Sequence, residues 1–240
     1  YKPSSRSSDR NIRTTTNQIN GGLVIYKFMF LSFLSTFTSC QKDLQLREKY
    51  AILAEQIPAS DPIYIFGHKN PDLDSYGSAY AYAALLNQWK IPAKAMALGK
   101  PNLETEYVLK YFNIKPLPII GKVKDQQKVI LVDHNEFNQS VNNIEKSSIV
   151  EIIDHHRLSI KTKTPIDTRI EKKGSTATMI YSLYKNSGMT PDRLSAGFLL
   201  SAILSDTLIL KSPTTTIFDQ KAVHQLSNQL SLDYETFGLN

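Results

Sequence analysis

The sequence predicts an α/β fold, a mainly parallel β-sheet flanked by helices in a doubly wound arrangement, on three observations. Short apolar runs alternate along the chain with segments of helical periodicity. The runs are continuously apolar instead of alternating apolar with polar, which suits strands covered on both faces. The 240 residues are 41% apolar and 21% charged, enough to bury a substantial core.

Residues 1–22 are rich in Ser, Thr, Asn and Arg without apolar periodicity, and predict disorder. LVIYKFMFLSFLSTFTSC, residues 23–40, reads as a short secretory apolar segment ending in small residues and Cys40. It resembles a bacterial lipoprotein signal, in which Cys40 would carry a membrane anchor. The competing reading is an extension foreign to the fold, because the first residue is Tyr1 and Lys27 interrupts the apolar run. From about 41 to 57 the spacing is helical and closes at Pro58. Strands are expected at IYIF (63–66), AKAMAL (93–98), KVILVD (128–133), SIVEIID (148–154) and the less apolar TPIDTRI (164–170). Helices are expected at 75–89, 103–112, 175–187, 191–204 and 218–230.

In such sheets ligands bind beyond the carboxyl ends of the strands. The unusual residues of this sequence fall there. GHKNPDLDS, residues 67–75, follows the first strand and holds His68, Asp72 and Asp74. LVDHNE carries Asp133 and His134 after the third strand, and IIDHHR carries Asp154, His155 and His156 after the fourth. Asp206 closes the apolar run GFLLSAIL in ILSDTLILKSPT. Four of the five histidines lie in these segments, leaving His224 on a predicted helix. Taken singly, each has a plain explanation as a helix N-cap, a core imidazole or a polar helix position. Taken together, the plain explanation requires four coincidences at one edge of the sheet, so a metal site is expected. Oxygen and imidazole donors without thiolate favour Mn²⁺ or Co²⁺ over Ca²⁺, and also accommodate Mg²⁺ and Zn²⁺. Asp72, Asp74, Asp133 and Asp206 would offset the charge of two such ions. A carboxylate bridging a pair roughly 3.5 to 4 Å apart lets both act on one water, which suits attack at phosphorus.

Composition narrows the partners. The net charge of +6 comes largely from residues 1–40, where Lys2, Arg6, Arg10, Arg13 and Lys27 face only Asp9 and leave +2 for the remainder. Nucleic acid is therefore not an expected partner. Tyr76, Tyr80 and Tyr82 read as packing residues of a helix rather than a base-stacking platform. Lys122, Lys124, Lys128, Lys161, Lys163, Lys172 and Lys173 read as solvated. The single cysteine excludes an intrachain disulfide and a cysteine-based zinc site. No apolar stretch reaches the roughly 18 residues of a membrane-spanning helix.

GHKNPDLDS, VDHNE, DHH and SDTLILKSPT, in this order, with GSTAT at 174–178 and the closing FGLN, resemble the DHH phosphoesterase family. Within it they resemble the manganese-dependent (family II) inorganic pyrophosphatases, from about residue 62 to the end. The resemblance implies one ion held by His68, Asp72 and Asp133, and another by Asp74, Asp133, His155 and Asp206, with Asp133 as the bridge. It implies that His156 faces the substrate, pyrophosphate, and helps protonate the leaving phosphate, while Asp154 supports the ligands. Ser175 and Thr176 open a predicted helix and would either offer backbone N–H groups to a phosphate oxygen or simply cap it. Lys211 would reach substrate or remain a solvated lysine. The implied cofactor is two Mn²⁺ or Co²⁺ ions, with Mg²⁺ as a substitute. The implied location is cytoplasmic, and a homodimer through the sheet edge is a further expectation.

On this reading residues 1–40 are an extension, 41–60 a helical linker and 61–240 the catalytic domain. Family members continue into a smaller domain whose Arg and Lys side chains clamp pyrophosphate. This sequence ends at Asn240 with Arg193 its last arginine, so the clamp is expected to be absent and turnover of pyrophosphate weak. The competing functions are another phosphoesterase of the superfamily (exopolyphosphatase, oligonucleotide phosphatase or cyclic-dinucleotide hydrolase) and a non-catalytic metal-binding remnant.

Overall fold

A five-stranded sheet, parallel throughout, organises the computed structural model, in which residues 48–162 and 164–239 are described. The stretches 1–22 and 23–40, with Cys40, and the first part of the expected 41–57 helix lie outside the described residues, as does Lys163. Residues 48–56 form α1. There follow β1 (Ile63–Phe66), α2 (Leu73–Gln88), β2 (Ala93–Ala95), α3 (Leu103–Tyr111), β3 (Lys128–Val132), β4 (Ser148–Asp154), β5 (Asp167–Ile170), α4 (Thr176–Asn186), α5 (Arg193–Asp206), α6 (Ile217–Leu230) and α7 (Tyr234–Gly238). Two short 3₁₀ turns, Phe137–Gln139 and Ile144–Lys146, lie between β3 and β4.

All five expected strands and all five expected helices are present. The sheet order is β2-β1-β3-β4-β5. The chain steps outward from β1 to β2, then returns to the other side of β1 for β3, so strand order reverses between β1 and β3. In parallel sheets this point leaves a crevice at the carboxyl ends, where adjacent connections run to opposite sides. Residues just after β1 and β3 are therefore placed together without any further instruction from the sequence.

The strand residues divide by parity, as successive side chains point to opposite faces. Ile63, Ile65, Ile130, Val132 and Ile153 join the larger apolar cluster with the helices, including Leu85, Ile180, Phe198 and Leu226. Phe66, Val129, Leu131 and Ile152 join a smaller cluster closed by Met96, Val123, Val141 and Ile144. Glu151 shares the helical face and is buried, yet Tyr82 of α2 donates a hydrogen bond to it and Lys49 of α1 donates another at 2.9 Å. The three tyrosines of α2 pack as expected: Tyr76 and Tyr80 stand against Phe198, and Tyr82 is fully buried. Among the described residues no helix is long and apolar enough to cross a membrane.

Each helix start is signalled by a short polar side chain. Asp72, Asn102, Ser175, Asp192, Thr216 and Asp233 cap α2 to α7 by accepting a backbone N–H from the first turn. α2 begins two residues earlier than periodicity alone suggests, because Asp72 and not Asp74 is its cap. The loop joining β1 to α2 is tight: a Cβ on Gly67 would fall 1.8 Å from Ser75 Oγ and 2.9 Å from Ser75 Cα. Gly67→Ala is therefore expected to destabilise the fold by about 1–3 kcal/mol or more, read as a lower denaturant midpoint. A midpoint equal to that of the parent protein would show that the loop yields.

Candidate metal centre

The reversal of strand order brings the loops after β1, β3 and β4 to one place, and the last turn of α5 reaches it from the helical face. His68 and Asp72 come from the first loop, Asp74 from the first turn of α2, Asp133 from the end of β3, His155 and His156 from the end of β4, and Asp206 from the end of α5. His68 Nε2 lies 3.3 Å from Asp72 Oδ2 and 3.4 Å from Asp133 Oδ2. His155 Nε2 lies 3.4 Å from Asp133 Oδ1, 3.7 Å from Asp206 Oδ2 and 3.9 Å from Asp74 Oδ2. Asp133 thus turns one oxygen to each imidazole. Three overlapping sets have donor atoms within 4.8 Å of one another: His68, Asp72 and Asp133; Asp74, His155 and Asp206; and Asp133, His155 and His156.

Backbone geometry aims these groups. Asp133 has φ 59°, the left-handed region that Asp and Asn tolerate better than most residues, and its N–H donates to Ile153 O at 3.0 Å. His68 Nδ1 donates to Lys69 O at 2.8 Å, and His155 Nδ1 donates to Lys173 O at 3.2 Å. A carbonyl can only accept, so each ring carries a proton on Nδ1 and turns Nε2 inward, the nitrogen that could ligate a metal once it has lost its own proton. Asp72 serves twice: Oδ1 accepts Ser75 N–H at 2.9 Å as the cap of α2, and Oδ2 faces His68.

Asp74 is fully buried at the N-terminus of α4. Its Oδ1 accepts from Ser175 Oγ at 2.7 Å and Ala177 N–H at 2.9 Å, and its Oδ2 accepts from Thr176 N–H at 2.7 Å. Of the two readings of Ser175 and Thr176, the structure shows the cap: Ser175 caps α4, the amides of Thr176 and Ala177 are taken up by Asp74, and Thr176 Oγ1 donates to Asp133 Oδ1 at 3.1 Å. Ser175 and Thr176 are buried and hold carboxylates. The helix N-terminus does attract an anion, but the anion is part of the chain.

His156 differs from the others in being half-exposed. Its Nδ1 donates to Asp154 Oδ1 at 2.9 Å, and its backbone N–H reaches the same oxygen at 3.0 Å. Asp154 Oδ2 accepts from Asn135 Nδ2 at 2.6 Å, and Asn135 Oδ1 accepts Ser159 N–H at 2.6 Å. The ring is held by Asp154 with Nε2 unengaged, beside a pocket of about 370 Å³ lined by His68, Asp133, Asn135, His156 and Arg157. Asn135 was not singled out from sequence, although it stands inside LVDHNE; an amide reads as a turn former until its partner 19 residues on is known. His134 does not join the cluster: its ring is buried, with Nδ1 donating to Val132 O at 2.9 Å and Nε2 accepting from Ser140 Oγ at 3.1 Å. Lys211 is exposed on the turn after α5, apart from the pocket lining and with no side-chain partner among the described residues. Lys173, read as solvated, instead lies over the Phe218 ring with Nζ 3.1 Å from its centroid.

The electrostatics define what the cluster lacks. Among the described residues no lysine or arginine pairs with Asp72, Asp74, Asp133 or Asp206. Burial, then the Asp74 and Asp133 charges, push Asp206 up to about 11. Burial and Asp133 push Asp74 up to about 7. Burial opposes charge on His68 and His155, yet hydrogen bonds to Asp133 outweigh it and raise them to about 11 and about 9. Asp133 is held low despite its burial, because both imidazoles bond to it. Burial keeps His134 below its usual value, hence neutral. Protons thus supply the positive charge that four neighbouring carboxylates require. Hard oxygen donors with two inward imidazole nitrogens fit a divalent cation of the Mn²⁺ type.

Residues 62–203 match the DHH family, N-terminal domain. A protein named as a probable manganese-dependent inorganic pyrophosphatase in Oceanobacillus iheyensis is 49% identical over 177 residues, covering 73% of this chain and 58% of the relative. One of the same name in Streptococcus mutans is 43% identical over 180 residues, covering 74% and 58%. The chain therefore spans under two thirds of the length of these relatives. The solved structure of a Methanococcus jannaschii protein assigned as a family II inorganic pyrophosphatase is 37% identical, with TM-score 0.68 over 73% of this chain and 58% of that one. An exopolyphosphatase-related protein of Bacteroides fragilis, 16% identical at TM-score 0.63 over 80% of this chain and 58% of that one, shares the fold.

Cations entering this cluster must displace protons from Asp74, Asp206, His68 and His155. Titrating the protein with Mn²⁺ in weak buffer should release protons, and affinity should fall as pH is lowered from 8 to 6, since more of the donors are then protonated. Calorimetry in buffers of different ionisation enthalpy measures this. Binding that is independent of both pH and buffer would contradict the donor assignment.

Proposed function

The chain belongs to the DHH family, and on that premise we propose that it carries the cation-binding site of a manganese-dependent hydrolase that splits inorganic pyrophosphate into two phosphates. One observation carries the reading: Asp133 lies between two inward imidazole nitrogens, 3.4 Å from each, beside a third imidazole braced toward a pocket. The names of the most similar relatives support the choice of pyrophosphate and manganese.

His68, Asp72 and Asp133 would hold one cation, and Asp74, Asp133, His155 and Asp206 would hold the other. Mn²⁺ is the preferred ion, with Co²⁺ or Mg²⁺ as substitutes. When bound, two such cations neutralise phosphate oxygens and acidify an attacking water. The carboxylates exclude other anions until the cations are present. His156 receives the substrate from the pocket side. Its Nδ1 proton is committed to Asp154, so a proton on Nε2 is the one it delivers to the departing phosphate oxygen, and Asp154 stabilises the resulting charge states of the ring. Burial lowers the charged form of His156, but the stronger Asp154 hydrogen bond raises its pKa, which favours the protonated donor near neutrality. Lys211 is a candidate contact to phosphate. Among the described residues both outer strands, β2 and β5, pair on one side only, and a homodimer through one of these edges is part of the proposal.

Substrate selectivity and metal dependence test the reading. With Mn²⁺, phosphate release should be greater from pyrophosphate than from tripolyphosphate or a dinucleotide, and chelator or Asp133→Asn should abolish it. His156→Gln should leave Mn²⁺ binding intact and lower kcat by about 10²- to 10⁴-fold. Release from a dinucleotide or tripolyphosphate in preference, or release that survives chelation, would overturn it.

A further inference from the structure

One buried carboxylate stands outside the cluster with a role the cation site does not explain. Asp219, in the first turn of α6, is fully buried and has no lysine or arginine partner among the described residues. Part of its bonding is local: Oδ2 accepts Thr216 N–H at 2.6 Å and Thr216 Oγ1 at 2.6 Å, completing a capping box at the start of α6. A capping box needs nothing more. Yet the same carboxylate also accepts Gly174 N–H at 3.0 Å and, through Oδ1, Thr178 Oγ1 at 2.6 Å, from 45 and 41 positions away. The approach is close enough to require glycine, because a Cβ at 174 would fall 2.8 Å from Asp219 Oδ2 and 2.6 Å from Thr207 Cγ2.

Between those two anchors, and beginning one residue before the first, runs the segment that orients the candidate ligands. Lys173 O fixes the tautomer of His155, Ser175 Oγ and the N–H groups of Thr176 and Ala177 hold Asp74, and Thr176 Oγ1 holds Asp133. These three ligands come from three other parts of the fold, the start of α2 and the ends of β3 and β4. An ion in hydrogen-bonded first contact is set by what holds its ligands, and loss of such support commonly weakens binding 10- to 100-fold.

We infer that Asp219 is a positioning residue for the metal centre: by clamping Gly174 and Thr178 it fixes the segment 173–178, which in turn aims Asp74, Asp133 and His155. The inference rests on the cluster binding cations. Burying a carboxylate without a cation is costly, and the four donors that offset the cost also tie the start of α6 to both ends of the segment.

Direct Mn²⁺ titration of the folded protein, followed by electron paramagnetic resonance or calorimetry and without reference to turnover, tests this. Asp219→Asn should bind Mn²⁺ at least about 10-fold more weakly, and the near-isosteric Thr178→Val, which removes one donor only, should weaken it in the same direction. Asn102→Ala, which deletes the cap of α3 away from the segment, controls for general loss of stability: it should lower Tm and leave Mn²⁺ affinity unchanged. If Asp219→Asn does not fold, Thr178→Val decides. Parental affinity in the folded variants, or an equal loss in Asn102→Ala, would overturn the inference while leaving the cation site standing. A parent protein that binds no Mn²⁺ would remove both.

Discussion

Buried like charge is the constraint around which this structure is arranged. Asp74 and Asp133 are buried and Asp72 and Asp206 converge on them from partly exposed positions, and no cationic side chain among the described residues answers them. Two carboxylates so placed repel more strongly than on a surface, where screening and hydration weaken the interaction. The fold offsets part of the repulsion with neutral donors: the first turn of α4 for Asp74, Thr176 for Asp133, the first turn of α2 for Asp72. The rest is left to protons or cations. The protein is therefore built to want positive charge at one place, and the pattern of raised carboxyl and imidazole pKa values is the electrostatic image of that want.

The sheet makes such a concentration affordable to build. Reversal of strand order between β1 and β3 opens a crevice without distorting the core, and the two apolar clusters on either face hold the strand ends still. Asp133 departs from regular backbone only after β3 has ended, so its left-handed φ does not interrupt the ladder. Precision comes from rigid elements and adaptability from their termini.

What could be read from the sequence was what depends on neighbours in the chain. IYIF, KVILV and SIVEIID announce strands through continuous apolar runs, and their ends locate the site because parallel sheets present ligands there. The residues at those ends, His68, Asp133, His155 and Asp206, are conspicuous for being charged or titratable beside such runs, and the structure brings them together. What could not be read depends on partners tens of residues away. Ser175 and Thr176 read equally as phosphate donors or as a cap because nothing local shows that Asp74, about a hundred positions earlier, takes the amides of Thr176 and Ala177. Lys173 looked solvated because Phe218 lies on another helix. Glu151 sits in an apolar strand without local warning that Tyr82 and Lys49 will satisfy it. α7 is one turn of five residues, too short for a period to show. Asp206 was placed just past a helix and instead ends it, since the apolar run stops before the last turn does.

The span of the cluster, from His68 to Asp206, has a consequence for how the protein comes into being. A chain leaving the ribosome presents its amino-terminal donors long before α5 has been made, and parallel strands cannot settle until the crossovers between them exist. Early in synthesis the scattered donors are only local and weak competitors for a cation. On the proposed cation site the full set of donors exists only once α5 has docked, so ion capture would follow that step of folding instead of guiding its beginning.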